Sequence, residues 1–104
     1  MPTFSVIMKH TPESCPLFNA ELKAKFKQVI VKREEAAKKH EVRVLSAWTS
    51  VLDHLILYIV EAPSQKSVED YFIEIGFASW NTVEIRQVKL VEDVLKSIEK
   101  TSTP

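Results

Sequence analysis

One glycine and one cysteine stand in this chain of 104 residues, and the two shortages exclude different things. A lone thiol cannot close a disulfide within the chain, so a packed core and not a covalent staple must hold the fold. A single glycine leaves no Gly-rich loop of the kind that cradles phosphates. Charge of one sign is also missing, because 14 Lys and Arg balance 14 Asp and Glu. That balance argues against a surface for polyanions, and no nucleic-acid partner is expected. No apolar run approaches the roughly 20 residues of a spanning helix, and no basic-then-apolar leader opens the sequence. The expectation is therefore a cytoplasmic protein with no membrane partner. Ser-His-Asp arrangements and paired catalytic carboxylates are lacking as well, so catalytic residues stay unassigned.

What is present fits one soluble domain. Apolar residues make up 45% and charged residues 27% of the chain, a globular composition, and the length matches one core. We expect a single domain over residues 1–100 and a polar tail over 101–104 that frays. Thr3 to Lys9 alternates in polarity and is rich in β-formers, which predicts a first strand ended by Pro12 and Pro16. From about Leu17 to Lys39, Leu22, Phe26, Val29, Ile30 and Ala37 recur at helical spacing. This predicts a first helix with Pro16 in its first turn and Ser14 or Cys15 near its cap. Val42–Val51 and His54–Glu61 read as a hairpin around Leu52-Asp53. Ser67 and Asp70 resemble a capping box for a second helix on Val68, Tyr71, Phe72 and Ile75, stopped at Gly76. Thr82–Leu90 reads as a fourth strand, and Val91, Val94, Leu95 and Ile98 as a terminal helix.

The order βαββαβ with a terminal helix implies a ferredoxin-like α+β fold, a four-stranded antiparallel sheet with strands one and three in its centre. Those two strands run in opposite directions. The end of strand one, at His10, then lies beside the start of strand three, at His54, with Cys15 at the same end. A register that pairs residues 10 and 54 would put Phe4, Val6, Met8 and His10 on one face with Val60, Tyr58, Ile56 and His54. His40 and Glu61 fall toward the opposite end.

His10-Thr11-Pro12-Glu13-Ser14-Cys15-Pro16 is accordingly the stretch that looks like a site. Imidazole nitrogen and thiolate sulfur suit a soft or borderline metal, and a helix start would favour the thiolate. The candidate ligands are His10, Cys15 and His54, with Glu13, Asp53 and Trp80 as possible accessories and Zn, Ni or Cu as the transition metal ion. The plainer readings are polar residues at wet strand ends for the histidines, and a small buried apolar group for Cys15. Trp48, Tyr58 and Met8 read as packing residues, and the charges from Lys23 to Lys39 as the solvated face of the first helix. Both alternating sets of strand three, Ile56, Tyr58, Val60 and Leu55, Leu57, Ile59, are apolar. The face without helices therefore needs a cover, and a second copy of the chain, a homodimer through the open sheet face, is the expected one.

The seven-residue motif, with His54 opening a strand that ends in Glu61-Ala62 and a Phe-containing helix that stops at Gly76, resembles small proteins of the dimeric α+β barrel superfamily. Those proteins carry a His-x-Pro-Glu-x-Cys-Pro motif. The likeness spans about residues 3 to 90, and by fold and lengths the chain is also similar to small nickel-binding ferredoxin-like dimers. The residue before the motif histidine is often a second histidine in the first group, and here it is Lys9. The resemblance implies two sheets packed face to face and leaves three functions open. These are a metal-binding dimer, a small-ligand or heme-binding enzyme with a histidine as proton shuttle or axial ligand, and a structural dimer without catalysis.

Overall fold

The computed structural model describes residues 1–101; the remainder of the expected polar tail, residues 102–104, lies outside the described residues. The order of elements is β1 (Thr3–Lys9), a 3-10 turn (Pro12–Ser14), α1 (Ala20–His40), β2 (Arg43–Ser50), β3 (Leu55–Glu61), α2 (Gln65–Glu74), a 3-10 turn (Phe77–Ser79), β4 (Thr82–Val88) and α3 (Val91–Thr101). The strands form one antiparallel sheet in the order β2-β3-β1-β4, which is the ferredoxin-like arrangement. The four strands make an open sheet and do not close into a barrel within the chain.

β1 alternates because one face must be apolar. Phe4, Val6 and Met8 are buried while the residues between them are half-buried. In the β1–β3 register Phe4 lies opposite Val60, Val6 opposite Tyr58 and Met8 opposite Ile56, so both sets point at the helices. Against them pack Val29 and Ala36 of α1, Val68, Tyr71 and Phe72 of α2, and Phe77. Tyr58, Phe72 and Phe77 meet at ring-centroid distances of 5.2 to 6.1 Å, the offset and edge-on geometry aromatic rings favour. Burial pushes the Tyr71 phenol up to about 12, with the neighbouring Tyr58 adding to the rise and Arg33 opposing it.

The first helix begins later than its apolar spacing suggests. Pro16 lies in a turn before α1, and the cap is Asn19, whose side-chain oxygen accepts from the backbone N–H of Glu21 at 3.0 Å and of Leu22 at 3.2 Å. An Asn side chain satisfies orphan amides that a proline run cannot, so Asn19 sets the boundary. At the other end Glu41 takes a left-handed φ of 58°, and the N–H of Val42 reaches back to the carbonyl of Ala37 at 2.9 Å. α2 is capped by Ser64, which accepts from the N–H of Ser67, so the expected Ser67–Asp70 box is displaced by one turn. Asp70 instead pairs with Lys66. Gly76 does stop this helix, at φ 100°.

The opposite face of the sheet carries Ile7, Leu55, Leu57 and Ile59, all half-buried, with Trp48 facing Leu57 from the edge strand and 66% exposed. α3 adds a second apolar stripe, in which Val91, Val94 and Leu95 are all exposed. Among the described residues no helix is long and apolar enough to cross a membrane.

Candidate metal centre

The site forms where β1 and β3 run out together. One residue beyond the regular ladder, the N–H of His10 still donates to the carbonyl of His54 at 3.1 Å, so the pairing continues to these two positions. His54 is brought there by the hairpin turn. The N–H of His54 closes onto the carbonyl of Val51 at 3.3 Å, and the Ser50 hydroxyl donates to Asp53 at 2.7 Å. His54 then takes a φ of 53°. This is the left-handed position that follows many hairpin turns and is commonly given to glycine. The absent turn glycine is thus replaced by a histidine held in a strained conformation.

Cys15 arrives by a different route. Its N–H caps the Pro12–Ser14 turn on the carbonyl of Pro12, and its own carbonyl accepts from Phe18 and Asn19, both at 3.0 Å. The residue is 4% exposed. It lies outside α1, four residues before the Asn19 cap, so the helix dipole, which fades within one turn, is not what conditions this thiol.

His10, Cys15 and His54 are brought together, each offering a ligand atom within 4.8 Å of the others. The His10 ring is oriented by the loop before β4. The Asn81 amide nitrogen donates to the carbonyl of Phe77 at 3.1 Å, which turns its carbonyl oxygen toward His10. Nδ1–H of His10 donates to that oxygen at 2.9 Å. The tautomer is thereby set with the lone pair on Nε2. Nε2 of His10 is buried without a hydrogen-bond partner among the described residues, and so is Nδ1 of His54.

Of the accessory residues, Trp80 packs beside His10 with ring centroids 5.1 Å apart, and its buried indole N–H also lacks a partner among the described residues. An indole N–H only donates, so Trp80 walls the site and cannot ligate. Glu13 and Asp53 are exposed and their carboxylates do not belong to the group. His40 is far from it, bonded to Glu74 on α2. Asn81 is the residue that reading the sequence passed over. The order of elements does bring its loop, residues 77–81, to this end of the sheet, without singling out its side chain.

The three ligand residues line one cavity of about 480 Å³ between α1 and the β2–β3 half of the sheet. The cavity is half open to solvent, and most of the surface that lines it is apolar. Three protein ligands would leave one position of a tetrahedral ion open.

No protein-family model matches the sequence, and no curated protein matches it. Among solved structures the fold is similar to that of the SCO4226 protein of Streptomyces coelicolor A3(2), at 19% identity and a TM-score of 0.55, over 85% of this chain and 96% of that one. A REP-associated tyrosine transposase bound to a REP hairpin aligns with a TM-score of 0.46 at 7% identity, over 94% of this chain and 62% of that one. The first likeness shows the ferredoxin-like fold.

Proposed function

We propose that the protein binds a transition metal ion, Zn²⁺, Ni²⁺ or copper, through Nε2 of His10, Sγ of Cys15 and one ring nitrogen of His54. The observation that carries this reading is the buried, unpartnered Nε2 of His10 beside a thiol and a second imidazole. A buried nitrogen lone pair with nothing to accept costs free energy, and an ion removes that cost. The hydrogen bond from Nδ1 to Asn81 is the outer support that metal-bound histidines use to hold their tautomer. Metal–ligand bonds of about 2.0–2.3 Å put tetrahedral ligand atoms about 3.3–3.8 Å apart, so binding draws the group, whose atoms lie within 4.8 Å of one another, inward by up to about 1.5 Å.

In this reading the working form is a homodimer of the dimeric α+β barrel type, paired through the open sheet face. Ile7, Leu55, Leu57 and Ile59 on that face, and Val94 and Leu95 on α3, supply the apolar surface such pairing needs. Sedimentation should give twice the chain mass, and Leu57→Lys should halve it.

The deciding experiment is elemental analysis of protein purified under reducing conditions without chelator, beside Cys15→Ser and His54→Asn. About one metal ion per chain in the wild type and almost none in either variant is the expected result. A wild type that retains no Zn²⁺, Ni²⁺ or copper after reconstitution overturns the reading.

A further inference from the structure

The cavity beside the ligand group has a charge pattern of its own. Lys23, Lys27 and Arg33 line it, and no aspartate or glutamate does. In a chain with as many acids as bases this segregation is local, not compositional. None of the three cations is paired with a carboxylate among the described residues. They lie along one stretch of α1 that also presents Phe26 and Ile30 to the cavity. At about 1.5 Å per residue, Lys23 and Arg33 are about 15 Å apart along the axis. The groove therefore runs from the ligand group, near the start of α1, to Arg33, whose charge is felt by the Tyr58 phenol on the sheet side.

Its floor is apolar. Ile56 and Tyr58 of β3 face Phe26 and Ile30 of α1 across the groove. Ile30 stays 45% exposed there, which is surface the fold leaves uncovered. A volume of about 480 Å³ is that of a small-molecule site, too small for a folded partner. Apolar walls and unpaired cations spaced along α1, with Arg33 at the end away from the ligand group, select a specific kind of occupant.

We infer that the groove binds a small apolar carboxylate, its carboxylate on Arg33, its hydrocarbon body against Phe26, Ile30 and Ile56, and its distal end at the metal centre. Arg33 offers a planar fork that matches a carboxylate, and Lys27 adds attraction from the rim. The groove would give the open metal position something to act on. In that one respect the inference rests on the metal reading; the binding of the anion does not.

The probes are biphenyl-4-carboxylate and its neutral twin, biphenyl-4-methanol, titrated calorimetrically into metal-reconstituted protein. The anion should bind about tenfold or more tightly than the alcohol. In Arg33→Gln the preference should fall to within about threefold, with metal content unchanged, and Arg33→Lys should restore part of it. Equal binding of the two probes by the wild type, or binding of neither, overturns the inference. So does a preference that survives Arg33→Gln. A preference lost in Cys15→Ser but kept in Arg33→Gln would put the carboxylate on the metal and reverse the orientation proposed. If the protein holds no metal while the Arg33-dependent preference persists, the metal reading falls and the anion site stands.

Discussion

Nδ1–H of His10 donates to Oδ1 of Asn81 at 2.9 Å, across 71 positions of sequence. That bond decides which nitrogen of His10 is free, because the Asn81 amide is itself anchored on the carbonyl of Phe77. Replacing Asn81 by Ala removes the acceptor and lets the ring turn or change tautomer. Metal affinity should fall about 10–100-fold, as when outer-shell partners of metal ligands are removed. Asn81→Asp, which keeps an acceptor at the same place, should retain most of it. Competition against a chromophoric chelator measures both variants, and equal loss in the two would mean that Asn81 acts only on the loop.

How legible this arrangement was depends on the range over which each part is determined. The alternation of β1 suggests the observed β1–β3 register without fixing it, because a one-residue slip would turn Tyr58 and Val60 out and bring Leu55, Leu57 and Ile59, which are also apolar, in beside Val6 and Met8. With the register came the adjacency of residues 10 and 54, since the ladder extends to them. The element boundaries were less legible where side-chain caps override apolar spacing, as Asn19 does for α1 and Ser64 for α2. Asn81 was illegible for a stronger reason. Its partner is distant in sequence, and nothing in Phe77-Ala78-Ser79-Trp80-Asn81 tells which side chain turns toward the sheet.

His54 adopts a φ of 53°, a conformation that costs most side chains free energy and that Asn tolerates better. His54→Asn should therefore abolish tight metal binding while leaving the metal-free protein as stable as the wild type, or more stable by up to about 1 kcal/mol. Chemical denaturation in the presence of chelator gives the stability, and elemental analysis the metal. A large loss of stability in this variant would show that the imidazole is retained for packing and not for ligation.

Gly76 follows the end of α2 at φ 100°, and a Cβ built there meets nothing within 4 Å. The cost of Gly76→Ala is then one of backbone conformation alone, about 1–2 kcal/mol. Thermal or urea unfolding should show a fall of that size, with metal stoichiometry unchanged because the group lies on other segments. A much larger loss would point to a rearranged Phe77 turn, which near-ultraviolet circular dichroism of the aromatic cluster would detect.

Alkaline stability follows from the buried phenols. Burial raises both tyrosines, Tyr71 to about 12, so the folded protein holds their protons more tightly than the unfolded chain, whose phenols titrate at the ordinary 10.0. The stabilisation is fully present below pH 10 and is lost as pH rises through the folded value, near 12 for Tyr71. Stability should fall through that window, and Tyr71→Phe should make the fall shallower. Phenolate absorbance and circular dichroism followed in one titration test this. If Tyr71 ionises near its ordinary value with the fold intact, its ring is wetter than the packing against Phe72 implies.

The Glu74–Lys39 contact gives the complementary acid limb. A hydrogen bond from Lys39 at 2.7 Å, seconded by His40, holds the Glu74 carboxyl below its ordinary value of 4.5. A depressed carboxyl stabilises the fold above that ordinary value, and the contribution disappears as pH falls through the lower folded one. The pair joins the end of α1 to the end of α2 at the surface, so its removal should lower Tm only slightly. Glu74→Gln should therefore melt a little earlier than the wild type at neutral pH, and the two curves should converge in acid. The same variant should bind metal normally, since His40 and Glu74 lie outside the His10–Cys15–His54 group. A change in metal affinity on Glu74→Gln would mean that the two ends of α1 communicate. In that case the helix, and not only the loops at the sheet end, would position the thiol.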